Sequence, residues 1–230
     1  SDSLSPGEGI WVGAYQGFNW AMDGSVPLDG IEVPLIDGWN MMGYPLWSPS
    51  DKAVALVIWE GETYSWYDAV NMGLISSTIY DYNSSNDYYF DVNDFEAWHG
   101  YWLACYQEGV SLWFDYANIP ASMLNRQDLF ARSSNENWDL EITLVGARQS
   151  VSIGMSEFAT DGFDTHMDKP VPPNSPVSSN DKTRMWISHP EWELRTGDKF
   201  ITSYTNTSED EYGWDVVIDR PTEGKATLDW

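Results

Sequence analysis

Three carboxylates, Asp161, Asp164 and Asp168, recur at short spacing beside Gly162 within ATDGFDTHMDKPVPP (159–173). Carboxylates and carbonyls converging from one loop are the donors a hard cation takes, so this stretch is read as a calcium site, with Ca2+ the one cofactor expected. A second alternation, Asp81, Asn83, Ser85 and Asp87, begins like an EF-hand loop. It lacks the central glycine, and Val92 stands where the closing glutamate belongs, so that motif is set aside. The three histidines, His99, His166 and His189, accompany no nucleophile phrase: neither G-x-S-x-G nor H-E-x-x-H occurs, nor a glycine-rich phosphate loop. Two of the 36 acidic side chains could form a glycosidase pair, because sequence does not report their separation in space. No catalytic residue is assigned.

Aromatic rings supply the other chemistry. The chain holds 14 Trp and 13 Tyr, more than a core of this size needs, and outward-facing aromatic patches mark binding surfaces. Indole and phenol faces accept the C–H faces of a sugar, while nearby Asp, Asn and Gln bind its hydroxyls. The residues read as a carbohydrate platform are Trp11, Tyr15, Tyr64, Trp66, Trp98, Trp102 and Tyr106. Four of these belong to a phrase that the chain spells twice, GIWVGAYQ (9–16) and GYWLACYQ (100–107). On a strand, Trp102, Ala104 and Tyr106 share one face, as do Trp11, Gly13 and Tyr15. A small residue between two rings leaves a shallow groove that suits either a sugar or a second packing layer, and both faces are apolar.

Composition narrows the partners. A formal charge of −25 opposes binding to nucleic acid or to an anionic membrane surface, and it favours a neutral polysaccharide over an acidic one. No apolar run approaches the roughly 20 residues of a membrane span. The opening SDSLSPGEG has no charged region followed by an apolar core, so any secretory leader is expected to have been removed already. The single cysteine, Cys105, cannot form an internal disulfide and is read as a small buried apolar residue.

The elements that must position these residues are strands. Helical periodicity is nearly absent, while β-branched and aromatic runs punctuated by Gly, Asn, Asp and Pro are frequent. Residues 53–67 are predicted to form a hairpin turning at Glu60–Glu62, its apolar first strand central in a sheet. Residues 100–114 are predicted to form a second hairpin, turning at Glu108 and Gly109. DAVNMGLI (68–75) suits two turns of helix, and the acidic stretch 81–94 reads as a loop holding a short strand. Strand patterns resume at 138–146, 149–155, 182–188, 198–206, 212–219 and 224–230. The fold class expected is all-β: two β-sandwich modules, 1–116 and 138–230, joined by a short irregular linker over 117–137. The second is expected to be jelly-roll or immunoglobulin-like, and 1–30 resembles the end of a preceding repeat unit.

LIDGWNMMGYPL (35–46), followed by AWHGYWLA (97–104), resembles a module of large secreted or cell-surface proteins of environmental bacteria, opened by a GWN…GYP phrase and closed by GYW. ATDGFDTHMDKPVPP and the terminal KATLDW resemble its companion module. The resemblance implies a secreted or surface location, β-sandwich architecture and neighbouring modules in a longer chain. It brings no catalytic group. The function expected is therefore non-catalytic binding of a neutral polysaccharide. The alternatives are a structural module of a surface array or filament and, third, a glycoside-active enzyme fragment.

Overall fold

The computed structural model describes residues 4–13, 16, 30–115, 137–147, 149–176, 182–206, 212–221 and 225–230. The expected linker lies outside them except for Asn137. Among the described residues the chain is all-β, with several sheets and one short α-helix.

In the first module the strands run β1 (Ile31–Pro34), β2 (Gly38–Gly43), β3 (Ser50–Asp51), β4 (Leu56–Trp59) and β5 (Glu62–Tyr64). Helix α1 (Trp66–Asn71) follows, then β6 (Ile75–Asn83), β7 (Tyr88–Val92), β8 (Asp94–Phe95), β9 (Gly100–Cys105) and β10 (Ser111–Phe114). Two four-stranded sheets, ordered β1-β10-β4-β5 and β2-β9-β6-β7, share one core containing Val33, Val57, Leu112 and Phe114 from the first and Met42, Ile79, Tyr101 and Leu103 from the second. Cys105 is fully buried in that core, and burial raises its thiol pKa.

Local chemistry accounts for the turns. Glu60 and Gly61 both have positive φ, as a two-residue hairpin loop requires, and β4 is an interior strand as its two apolar faces demand. Ser65 caps α1: its hydroxyl accepts from the Asp68 amide and donates to the Asp68 carboxylate. The acidic stretch 81–94 is a true hairpin of β6 and β7, its turn held by Asn83 Oδ1 accepting the Ser85 and Asn86 amides.

The second expected hairpin does not form. β9 pairs with β2 and β6, whereas β10 pairs with β1 and β4, so Glu108–Gly109 carries the chain from one sheet to the other. Two strands apolar on both faces cannot share a half-exposed ribbon. Each instead lies between other strands of its own sheet.

In the second module β11 (Trp138–Leu144), β12 (Gln149–Met155), β13 (Lys169–Pro170), β14 (Arg184–Ser188), β15 (Lys199–Thr205), β16 (Val216–Asp219) and β17 (Leu228–Asp229) form one seven-stranded sheet. It is mixed, since β12 and β15 are parallel. The all-β, multi-sheet architecture expected is thus formed. Phe163, Trp192, Leu194 and Trp214, from connecting segments, pack against the core of this module.

Candidate functional site

The sheet β2-β9-β6-β7 has two faces of different fate. Alternation sends Met42, Leu103, Cys105 and Ile79 into the core of the first module. The opposite face carries Trp39, Met41, Trp102, Tyr80 and Tyr82, and Trp39 and Trp102 meet edge to face with centroids 6.3 Å apart. The groove of Trp102, Ala104 and Tyr106 lies on this face, and the second module packs against it. The Trp39 indole N–H donates to the Thr196 carbonyl (3.0 Å), the Tyr80 hydroxyl donates to the Pro170 carbonyl (3.0 Å), and the Tyr106 ring meets Phe163 edge-on at 4.9 Å.

The GWN phrase reads chemically in this setting. Gly38 holds φ of +111°, a conformation that L side chains rarely adopt, where the chain enters β2 beside Arg195. Trp39 is thereby aimed at the second module, and Asn40 clamps both the amide and the carbonyl of Ile36 at 2.8 Å each. Gly43 serves a different purpose: a Cβ there would sit 2.8 Å from the Glu8 carbonyl oxygen, where the N-terminal segment lies along β2.

From the other side, 159–173 is the clasp. Thr165 donates its hydroxyl to the Val70 carbonyl at 2.6 Å, the Ser77 amide donates to the Thr165 carbonyl, and Lys169 pairs with Asp91 at 2.8 Å. Phe163 touches Tyr106 on one side and Trp192 and Phe200 of the second core on the other, so one ring links seam and core. Exposed ion pairs such as Lys169–Asp91 and Arg195–Asp37 contribute only ~0–1 kcal/mol each and weaken with salt. The rings and the buried hydrogen bonds carry the seam.

The three carboxylates read as calcium ligands hold this clasp in shape. Asp168, 1% exposed, accepts the Asp164 amide on Oδ2 (2.7 Å) and the Tyr204 amide on Oδ1 (2.9 Å). Asp164 accepts the Thr160 amide and hydroxyl, and Asp161 accepts the Thr205 hydroxyl. Each is committed to different donors. Among the described residues no three or more His, Cys, Asp or Glu side chains are gathered into a group that could hold a metal. Burial raises the Asp168 carboxyl to about 8 against the lowering effect of its two amide donors.

The seven residues read as a sugar platform do not form one surface. Trp66 is 1% exposed, packed edge-on against Phe95 in the first core, because it opens α1 on that helix's buried side. Tyr64 is half-buried against the same core. Trp102 is partly buried in the seam and donates its indole N–H to the Tyr89 hydroxyl. Tyr106 places its hydroxyl in the interior with no hydrogen-bond partner, and burial pushes its pKa far up. Trp11 meets Tyr82 edge-on at 4.9 Å, and residues 10–13 form no strand although they repeat the β9 phrase. Tyr15 lies outside the described residues. Of the six that are described, Trp98 alone stands in solvent, 82% exposed.

One constellation is not legible from spacing. His189, 4% exposed, lies 2.9 Å from Ser203 Oγ through Nε2 and 2.7 Å from Glu191 Oε1 through Nδ1. This hydroxyl–imidazole–carboxylate order is that of a hydrolase triad. Here the imidazole is stacked flat on Trp192 at 3.8 Å and Ser203 is 1% exposed, so a substrate carbonyl has no approach to the hydroxyl. The trio ties the 189–192 turn to β15. Only Glu191 is recognisable as a neighbour in sequence; Ser203 arrives through the pairing of β14 with β15.

No protein-family model, characterised protein or solved structure matches this chain. No helix among the described residues is long and apolar enough to cross a membrane.

Proposed function

We propose that this chain is a structural, non-catalytic unit of a secreted or cell-surface multimodular protein, in which two β modules are locked into one body by an aromatic seam. The observation that carries this reading is the fate of the repeated phrase: the sheet face on which Trp102, Ala104 and Tyr106 lie meets the second module through Trp39–Thr196, Tyr80–Pro170 and Tyr106–Phe163. Its rings are spent on packing. A body of this kind suits a load-bearing or spacing role between neighbouring modules of a longer chain. The test is affinity electrophoresis of the protein through a panel of neutral polysaccharides, beside calorimetry of the full chain. Unretarded migration with a single unfolding transition supports the reading; retardation abolished by Trp102→Phe would sink it.

Trp98 favours a second reading, binding of a neutral polysaccharide at one end of the first module. It is 82% exposed with φ of +69°, so it bears the strain of a left-handed conformation without packing in return. The Tyr44 amide bonds the His99 carbonyl, which brings the turn of Trp98 beside the segment carrying Trp47, itself 73% exposed. Retardation that Trp98→Ala removes and Trp102→Phe leaves intact would establish this reading in place of the first.

A further inference from the structure

The two modules meet at a second place besides the aromatic seam, around a cavity of about 500 Å3. The first module lines it with the β6–β7 turn (Asn86–Tyr88), and the second with the β11–β12 turn and residues 182–183, 220 and 225–227. The volume lies within the roughly 300–1,000 Å3 typical of small-ligand sites.

Charge does not select the occupant. Lys182 and Asp87 both line the cavity and pair with each other, and Asp87 also accepts the Tyr82 hydroxyl at 2.8 Å. Arg220 is engaged as well, which leaves Lys225 as a single exposed cation on a chain of formal charge −25. An anion would have to enter the field of the whole protein for one exposed lysine, and a cation would meet that lysine.

The neutral groups are the ones left open. The Thr183 and Thr227 hydroxyls have no hydrogen-bond partner among the described residues. Gln149 Oε1 accepts the Met185 amide at 2.9 Å, while its Nε2 group donates to none of the described residues. Tyr88 contributes a half-buried ring, and Leu144 and Ala147 an apolar wall. A ring face beside convergent neutral donors and acceptors suits a ligand with an apolar C–H face and several hydroxyls.

We infer that this cavity binds an uncharged saccharide of one or two rings, with its C–H face on Tyr88 and its hydroxyls on Thr183, Thr227 and Gln149. Both modules supply walls, so the sugar binds the docked pair and stabilises it by mass action. The site adds a ligand to the structural unit and is separate from Trp98, which does not line it.

Isothermal titration of the full chain with glucose, galactose, mannose, cellobiose and maltose, beside glucuronate and glucosamine, tests it. Saturable binding of at least one uncharged sugar is expected, roughly tenfold weaker for the charged ones and unchanged between roughly 20 and 300 mM salt. Tyr88→Leu should weaken it roughly tenfold and Thr227→Val about fivefold, while Trp98→Ala should leave it intact. Thr227 is exposed and valine keeps its shape, so that variant stays folded. In calorimetry of the full chain the sugar should raise the unfolding temperature of both modules together. No binding of any sugar in the panel, equal binding of the charged sugars, or affinity unchanged in Thr227→Val overturns the site. Loss of binding in Trp98→Ala also overturns it, and places the sugar at the Trp98 turn instead.

Discussion

Replacing Trp39 by alanine removes a ring that belongs to neither hydrophobic core and touches the second module directly. A fully buried Trp→Ala change costs ~3–5 kcal/mol, and Trp39 is partly buried, so about half of that applies. The indole bond to the Thr196 carbonyl adds about 1 kcal/mol, and its loss leaves that carbonyl without its donor. Packing against Tyr80 and Trp102, at 6.0 and 6.3 Å, adds a few tenths more. The sum is ~2–4 kcal/mol, or a fall in Tm of roughly 4–16 °C for a chain of this size. Differential scanning calorimetry with urea titration by far-ultraviolet circular dichroism measures it. Trp39→Phe, which keeps a ring and loses the N–H, is expected to cost about 1 kcal/mol. The coupling of the modules makes the form of the result diagnostic: the transition should move as a whole, or split with the second module melting first. A loss under about 0.5 kcal/mol in Trp39→Ala, or a transition of the second module left at its original midpoint, would refute the seam.

Tyr106→Phe deletes a buried hydroxyl that has no partner and should be neutral to stabilising by about 1 kcal/mol, read by urea midpoint; a loss of that size would show a hydrogen bond that matters. Asp168 binds its proton in the native state up to pH about 8, against roughly 3.9 in the unfolded chain. The native state therefore holds the extra proton between these values, and its stability should fall as pH rises from about 4 through 8, by at most ~6 kcal/mol. Asp168→Asn should flatten that slope in urea titrations at pH 6 and 9, and an unchanged slope would contradict the assignment. Trp98→Gly relieves a left-handed residue and removes no buried surface, so Tm should hold or rise by a few degrees; a fall would mean that the indole packs.

Local signals in the chain were reliable where they concern neighbours. The Glu60–Gly61 turn, the Ser65 cap and the six late strands are set by residues within a few positions of one another. Partnership between strands was not legible. GYWLACYQEGVSLWF has the pattern of a hairpin, yet whether its two strands pair with each other or with different sheets depends on β2, β6, β1 and β4. The same limit governs the candidate site. The Trp–small–Tyr groove was visible as a face needing a cover, but sequence could not say whether sugar or protein supplied it. In ATDGFD the sequence shows the carboxylates and hides the amides and hydroxyls that bond to them.

The seam is tested most directly by native-state hydrogen exchange of the full chain in rising urea. Amides of β9 in the first module and of β12 and β15 in the second should converge on one opening free energy, because the aromatic face between them stays buried until both modules unfold. Separate opening energies, with β12 and β15 exchanging while β9 remains protected at its own higher value, would show two modules that touch without being locked.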